Sequence, residues 1–189
     1  MPIEFPVLVT PRLKLRTISQ QDADALFEIH SDAETMRWYG VDPITRQSEA
    51  MRLADLFSGW FVAGSGFRWG LERLEDGRLI GTCGLFRWNR SWRNCVTGYE
   101  LARDCHGQGY MREALAAILD YGFDEMGLHR VQAEAHGSNE GSIGLAKRMG
   151  FQLEGVHREQ AFWNGSFHDL HCYSLLAPEW RERKLAEGW

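Results

Sequence analysis

The apolar residues along the chain recur with two different periods, and the switches between them outline the elements. In "RLKLRTI", Arg12 to Ile18, apolar and polar residues alternate, which predicts a half-buried strand. Ser19 then leads into a polar start, and "DALFEIH" repeats its apolar positions every three to four residues, the mark of an amphipathic helix. A second helix is predicted over about Ser48 to Ala63, with Met51, Leu53, Leu56, Phe57 and Trp60 on its apolar face. Between the two, "AETMRWYGVDP" reads as a helical turn followed by a loop. From Phe67 to Leu101 the period falls to two, and "FRWGLERL", "RLIGTCGLF" and "NCVTGYEL" predict an antiparallel meander. Asp76-Gly77 predicts a two-residue type I′ hairpin between its first two strands. A helix over about Tyr110 to Glu125, a strand "RVQAEA" and a helix over about Glu140 to Met149 follow, then two strands around Asn164-Gly165. Asn139 stands at an N-cap position, and Gly150 where a helix ends in a left-handed residue.

Composition narrows the class. At 189 residues, with 44% hydrophobic and 25% charged residues, the chain suits one globular domain spanning residues 1–189. A net charge of −5 argues against a broad nucleic-acid or anionic-membrane surface, so any polyanion must be held locally. Cys83, Cys95, Cys105 and Cys172 form no CxxC pair, which fits reduced thiols of a cytoplasmic protein. "MPIEFPVLVT" lacks the signal-peptide pattern, and no apolar run is long enough for a membrane span.

The segment "DCHGQGYMREAL", Asp104 to Leu115, carries the chemistry. Gly107 and Gly109 stand one residue apart before a helix, each at a conformational cost of roughly 0.5–1 kcal/mol. Strand, glycine turn and helix together aim unpaired main-chain N–H groups at an anion, because the first helical amides lack internal partners and the helix dipole is positive there. An ordinary strand-to-helix turn is the alternative. A Walker loop fails for want of Gly-Lys-Ser/Thr, and a Rossmann fingerprint fails because Arg112 occupies the third glycine's place.

"HGQGYMREAL" followed by "NEGSIGLAKRMGFQLEGV" resembles the acetyl-CoA-binding core of GNAT N-acetyltransferases, most closely the RimJ/RimL-type branch. The likeness extends to "TPRLKLRTISQQDADALFEIHSDAETMRWYG", "GYEL" and "NGSFHDLHCYSLLAPEW". It implies an α/β (α+β) GNAT fold: a central mixed, mostly antiparallel sheet of about seven strands, flanked by helices. That sheet is splayed between its fourth strand, "NCVTGYEL", and its fifth, "RVQAEA". It further implies a single GNAT domain that transfers acetyl from acetyl-CoA, without a metal, to an amine by direct attack on the thioester. The amino terminus of a ribosomal or other protein is the leading acceptor. A small-molecule or antibiotic amine, or a non-catalytic CoA-binding module, is the alternative, and a homodimer stays open.

The same resemblance assigns residues. Backbone groups at Glu100, Leu101 and Arg103 are expected to pair with the pantetheine arm, with an N–H near Leu101 facing the oxyanion. His106, Gly107, Gln108, Gly109, Tyr110, Met111 and Arg112 form the diphosphate cradle, with His106 and Met111 replacing the Gln/Arg and the small residue of the family pattern. Asn139 contacts the cofactor, and Ser142 sits near the sulfur as proton donor; the alternatives are an N-cap and an ordinary helical serine. Glu100 is the expected base, directly or through water, with a salt-bridged strand carboxylate as the alternative and Glu134 as competitor. Trp38, Tyr39 and Trp88 are expected acceptor contacts, and Asp169 matches an acidic position of the branch. His168 and His171 have HxxH spacing but point to opposite faces of a strand, which argues against a metal.

Overall fold

A computed structural model describes residues 4–187; residues 1–3 and 188–189 of the expected domain lie outside the described residues. Its centre is an eight-stranded sheet in the order β1-β2-β3-β4-β5-β6-β8-β7. The strands are β1 (Leu8–Val9), β2 (Leu13–Arg16), β3 (Phe67–Arg73), β4 (Leu79–Asn89), β5 (Asn94–Leu101), β6 (Arg130–His136), β7 (Gln152–Trp163) and β8 (Ser166–Leu176). The count exceeds the expected seven because Leu8–Val9, too short for periodicity to reveal, pairs with Lys14 and Leu15 of β2. All neighbours are antiparallel except β5 and β6.

The helices are α1 (Ala23–Ser31), α2 (Ala33–Met36), α3 (Gln47–Val62), α4 (Tyr110–Asp120), α5 (Glu140–Met149) and α6 (Ala177–Glu187). Leu13 and Leu15 of β2 are fully buried with Ile118 and Leu119 of α4 in the main core, while Leu26 of α1 and Ala50, Ala54 and Phe57 of α3 close a second core. Each buried Leu, Ile or Phe side chain among these contributes roughly 1.5–3 kcal/mol. Among the described residues no helix is long and apolar enough to cross a membrane.

Three local expectations change. Met51 and Leu56 are 46% and 53% exposed, because α3 turns the row of Ala50, Ala54 and Phe57 inward. The β3–β4 connection runs over five residues, with Gly77 at φ +72 donating to Arg73 and the Arg73 guanidinium paired with Asp76, so it is no two-residue turn. The helix expected to reach Glu125 ends as α-helix at Asp120 and continues as a wider π-turn over Tyr121–Glu125. The last hairpin forms as expected, with Asn164 and Gly165 at φ +49 and +72.

One topological feature positions everything that follows. β5 and β6 pair in parallel only from Asn94↔Arg130 to Thr97↔Ala133. Beyond that point Gly98–Leu101 and Glu134–His136 belong to strands that no longer bond to each other, which is the expected splay between the fourth and fifth strands, here β5 and β6.

Candidate active site

The end of β5 leads directly into the glycine corner. Gly107 and Gly109 have φ of +73 and +82, and Gly109 is the N-cap of α4, with no side chain capping the helix from that position. A Cβ at Gly107 would meet nothing within 4 Å, and one at Gly109 would meet only the Arg12 Nη2 atom, at 3.5 Å. The corner is therefore an exposed turn that presents main-chain amides at a helix start, which suits a diphosphate. Met111 is buried in the core, so its bulk does not enter the cradle; its amide is what faces the turn. Tyr110 is also buried, under the Arg12 guanidinium at 4.4 Å from its ring.

Two side chains of the corner hold the loop itself. His106 donates from Nε2 to the Leu101 carbonyl at 2.8 Å, and Gln108 donates to the Asp104 carbonyl at 2.7 Å. His106 thus ties the corner back to β5. Arg12, which sequence reasoning missed, donates to the Gln108 carbonyl at 3.0 Å and pairs with Glu113 at 2.7 Å. It stands 96 residues away from Gln108, so no local signal could have linked the two. Arg103 and Arg112 are exposed, with Arg103 at 4.0 Å from Asp32. A recess of about 450 Å³ opens beside the end of β5, walled by Glu28, Asp32, Arg103 and Asp104. Its carboxylates are engaged: Glu28 and Asp104 pair with Arg78, and Asp32 accepts from the Thr35 amide.

Side chains along a strand alternate between faces, so the splayed half of β5 has two different sides. On the α5 side, the Tyr99 hydroxyl and Ser142 Oγ share a hydrogen bond of 2.9 Å. Asn139 caps α5 by accepting from the Ser142 amide at 3.0 Å, which is the simpler of its two readings. Burial pushes the Tyr99 phenol up to about 12, so it stays protonated and able to donate. Sequence reasoning missed Tyr99, although it stands within the "GYEL" motif, because its partner Ser142 lies 43 residues away.

On the opposite side Glu100 is buried, and its carboxylate is paired with the fully buried Arg68 guanidinium and accepts from the Thr82 hydroxyl. Arg68 also donates to Thr82 Oγ1 at 2.6 Å, the Gly98 carbonyl at 2.8 Å and the Tyr39 hydroxyl at 2.8 Å. His30 Nε2 lies 3.3 Å from Glu100 Oε1 without hydrogen-bond alignment. Burial alone would raise the Glu100 pKa; Arg68, His30 and Thr82 outweigh it and hold the carboxyl at about 2. A carboxylate at that pKa binds a proton poorly and its oxygens are already engaged, which favours the salt-bridged strand carboxylate over the expected base. Glu134, the competing carboxylate, is exposed on β6.

Trp38 stacks on His136 at 4.2 Å, and Trp163 and His168 of the β7–β8 hairpin stack at 3.7 Å beside them. Trp163 donates to the Arg37 carbonyl at 3.2 Å, so the hairpin tip is fastened to the segment after α2. Desolvation and the nearby His168 and His171 lower the His136 pKa, which favours a neutral ring. Trp38 and Tyr39 therefore stand on the Glu100 side of the splay. Trp88 does not: it packs against Phe67 of the main core and under Arg90, because a bulge in β4 turns it to the other face. Asp169 accepts from the amide of Glu159, a strand residue at φ +51, which gives that acidic position a structural task.

A strand-borne splay, a left-handed glycine corner and a helix start that faces it define an acyltransferase of the GNAT type. The chain belongs to that family: an acetyltransferase (GNAT) domain matches residues 12–152. It is 36% identical over 174 residues to YoaA, an uncharacterized N-acetyltransferase of Bacillus subtilis, covering 92% of this chain and 98% of that one. It is 27% identical to the ribosomal protein uS5-alanine N-acetyltransferase of Escherichia coli, with 92% of both chains covered, in agreement with the branch the motifs resemble. A solved structure of spermidine N-acetyltransferase from Vibrio cholerae, in complex with CoA and spermine, superposes with a TM-score of 0.80 at 23% identity, covering 91% and 99% of the two chains.

Proposed function

We propose that this N-acetyltransferase delivers the acetyl group of acetyl-CoA to the α-amino group of a protein, which enters from the face of β5 that carries Glu100. Acetyl-CoA is the acyl donor. One observation carries the reading: β5–β6 pairing ends at Thr97, and the freed end of β5 runs within a few residues into the glycine corner, so that strand edges lacking each other as partners adjoin an anion cradle in the chain. The diphosphate rests on the amides of Gly107 to Arg112, with the Arg12 guanidinium beside Gly109. The pantetheine arm runs along Glu100 to Arg103.

The amine nitrogen attacks the thioester carbonyl carbon, the C–S bond breaks, and the CoA thiolate leaves. An α-amino group, with a pKa of ~8, is partly neutral near pH 7, whereas a lysine at ~10.4 is not, so the amino terminus needs no strong base. Its proton passes to water on the open side of the cleft. A main-chain N–H near Leu101 stabilises the oxyanion; one such donor is worth ~10²–10³ in rate. Ser142, backed by Tyr99, donates to the departing sulfur. Glu100 acts as a positioning residue that holds Arg68, Thr82 and Tyr39 beneath the acceptor amine, with Trp38 alongside. The test is free-thiol release with labelled acetyl-CoA and a panel of amino-terminal peptides, polyamines and aminoglycosides. Acetylation of the peptides supports the reading; turnover with the small amines alone overturns it.

A further inference from the structure

A second cluster of reactive side chains lies further across the same sheet. Register sets Glu134 of β6 opposite Cys172 of β8, Cys172 opposite Gly155 of β7, and His157 opposite Leu170. Directly paired residues share a face and alternate residues return to it, so Glu134, Cys172 and His157 all project from one side. Their potential ligand atoms lie within 4.8 Å of one another. Gly155 leaves the position beside Cys172 open, since a Cβ there would meet nothing within 4 Å.

We propose that Glu134, His157 and Cys172 form a Zn²⁺ site whose fourth position is held by water. A thiolate, an imidazole and a carboxylate together select zinc over magnesium or calcium, which take oxygen ligands. With Zn–N, Zn–O and Zn–S bonds of about 2.0–2.3 Å, tetrahedral ligand atoms sit roughly 3.4–3.7 Å apart, so rotation of the exposed Glu134 and His157 side chains closes the site. The Cys172 proton leaves to solvent as the Zn–S bond forms. Glu134 is the first β6 residue past the last β5 pair, so the ion stands at the edge of the splay. Resting on the function proposed above, the bound ion cancels the Glu134 carboxylate's charge, which removes an anionic contact for an incoming amine at the edge of the splay and makes Zn²⁺ an inhibitor.

The experiment titrates the full-length, metal-free protein with Co²⁺ in place of Zn²⁺, reading the thiolate-to-metal charge-transfer absorption and its displacement by Zn²⁺. One equivalent per chain is expected, with the band absent in C172S and affinity at least tenfold weaker in H157A and in E134Q. Absence of the band, its survival in C172S, or equal weak binding by all variants overturns the site. Acetyl-CoA binding measured without metal is unchanged in H157A, which separates loss of the ion from misfolding. Zn²⁺ binding with unchanged turnover overturns the inhibitory consequence, whereas absence of thiol release with any amine overturns the proposed function and leaves the Co²⁺ spectrum to decide the site.

Discussion

The glycine corner and the buried cluster around Glu100 lie a few residues apart in the chain but are built in opposite ways. The corner is made of main chain: two glycines at positive φ and the first amides of α4, with side chains such as His106, Gln108 and Arg12 serving to hold the loop. The cluster is made of side chains drawn together from α1, the loop after α2, and strands β3, β4 and β5, namely His30, Tyr39, Arg68, Thr82 and Glu100. A ligand that must be gripped by many fixed donors is served by backbone, whose positions a helix start sets in advance. A buried carboxylate can be kept charged only by a partner brought from elsewhere, because the desolvation of a lone charge would cost several kcal/mol.

Breaking the cluster should have the largest effect. Arg68→Met leaves Glu100 uncompensated in the interior and is expected to cost about 3–5 kcal/mol of stability, read by urea unfolding. A loss under about 1 kcal/mol would mean that the cluster is hydrated and the contrast with the corner is false. Acid attacks the same point more gradually. The folded-state pKa of Glu100, about 2, lies below the ordinary ~4.3, so its contribution is complete above about pH 5 and is lost as pH falls through 4 towards 2. An unfolding series over that range should show stability falling with acid, and a smaller acid dependence in Glu100→Gln, measured relative to that variant's own neutral value.

The corner should respond in binding. Gly109→Val puts a β-branched residue at φ +82, where L side chains are strained by roughly 1–3 kcal/mol, and is expected to weaken acetyl-CoA binding at least tenfold by calorimetry. Unaltered affinity would remove the cradle from that place. The smallest effect sharpens the division between the two faces of β5: Tyr99→Phe removes the partner of Ser142 and should lower kcat by about tenfold with KM for acetyl-CoA little changed. A rise in KM alone would assign Tyr99 to binding rather than to thiolate departure.

Much of this was legible in the residue order. Alternation marked Leu13–Arg16 and the meander, Asn139 and Gly150 marked the ends of α5, and Asn164-Gly165 marked the last turn, since each signal is local and repeated over neighbouring residues. The misses have physical causes too. Met51 and Leu56 are as apolar as Phe57, so periodicity could not say which row of α3 a sheet would cover. Trp88 reads as a loop aromatic until a bulge in β4 turns it to the core.

By itself the sequence determined the element order, the glycines whose φ an L side chain resists, and the motif spacing that names the family, because all of these are properties of short stretches. Tertiary structure alone decided that Arg68 neutralises Glu100, that Tyr99 meets Ser142 across 43 residues, and that Arg12 latches the corner. The reason lies in the nature of charge and hydrogen bonding inside a protein. A carboxylate in a strand has one meaning in water and another beside a buried guanidinium, and only packing brings the second group within reach.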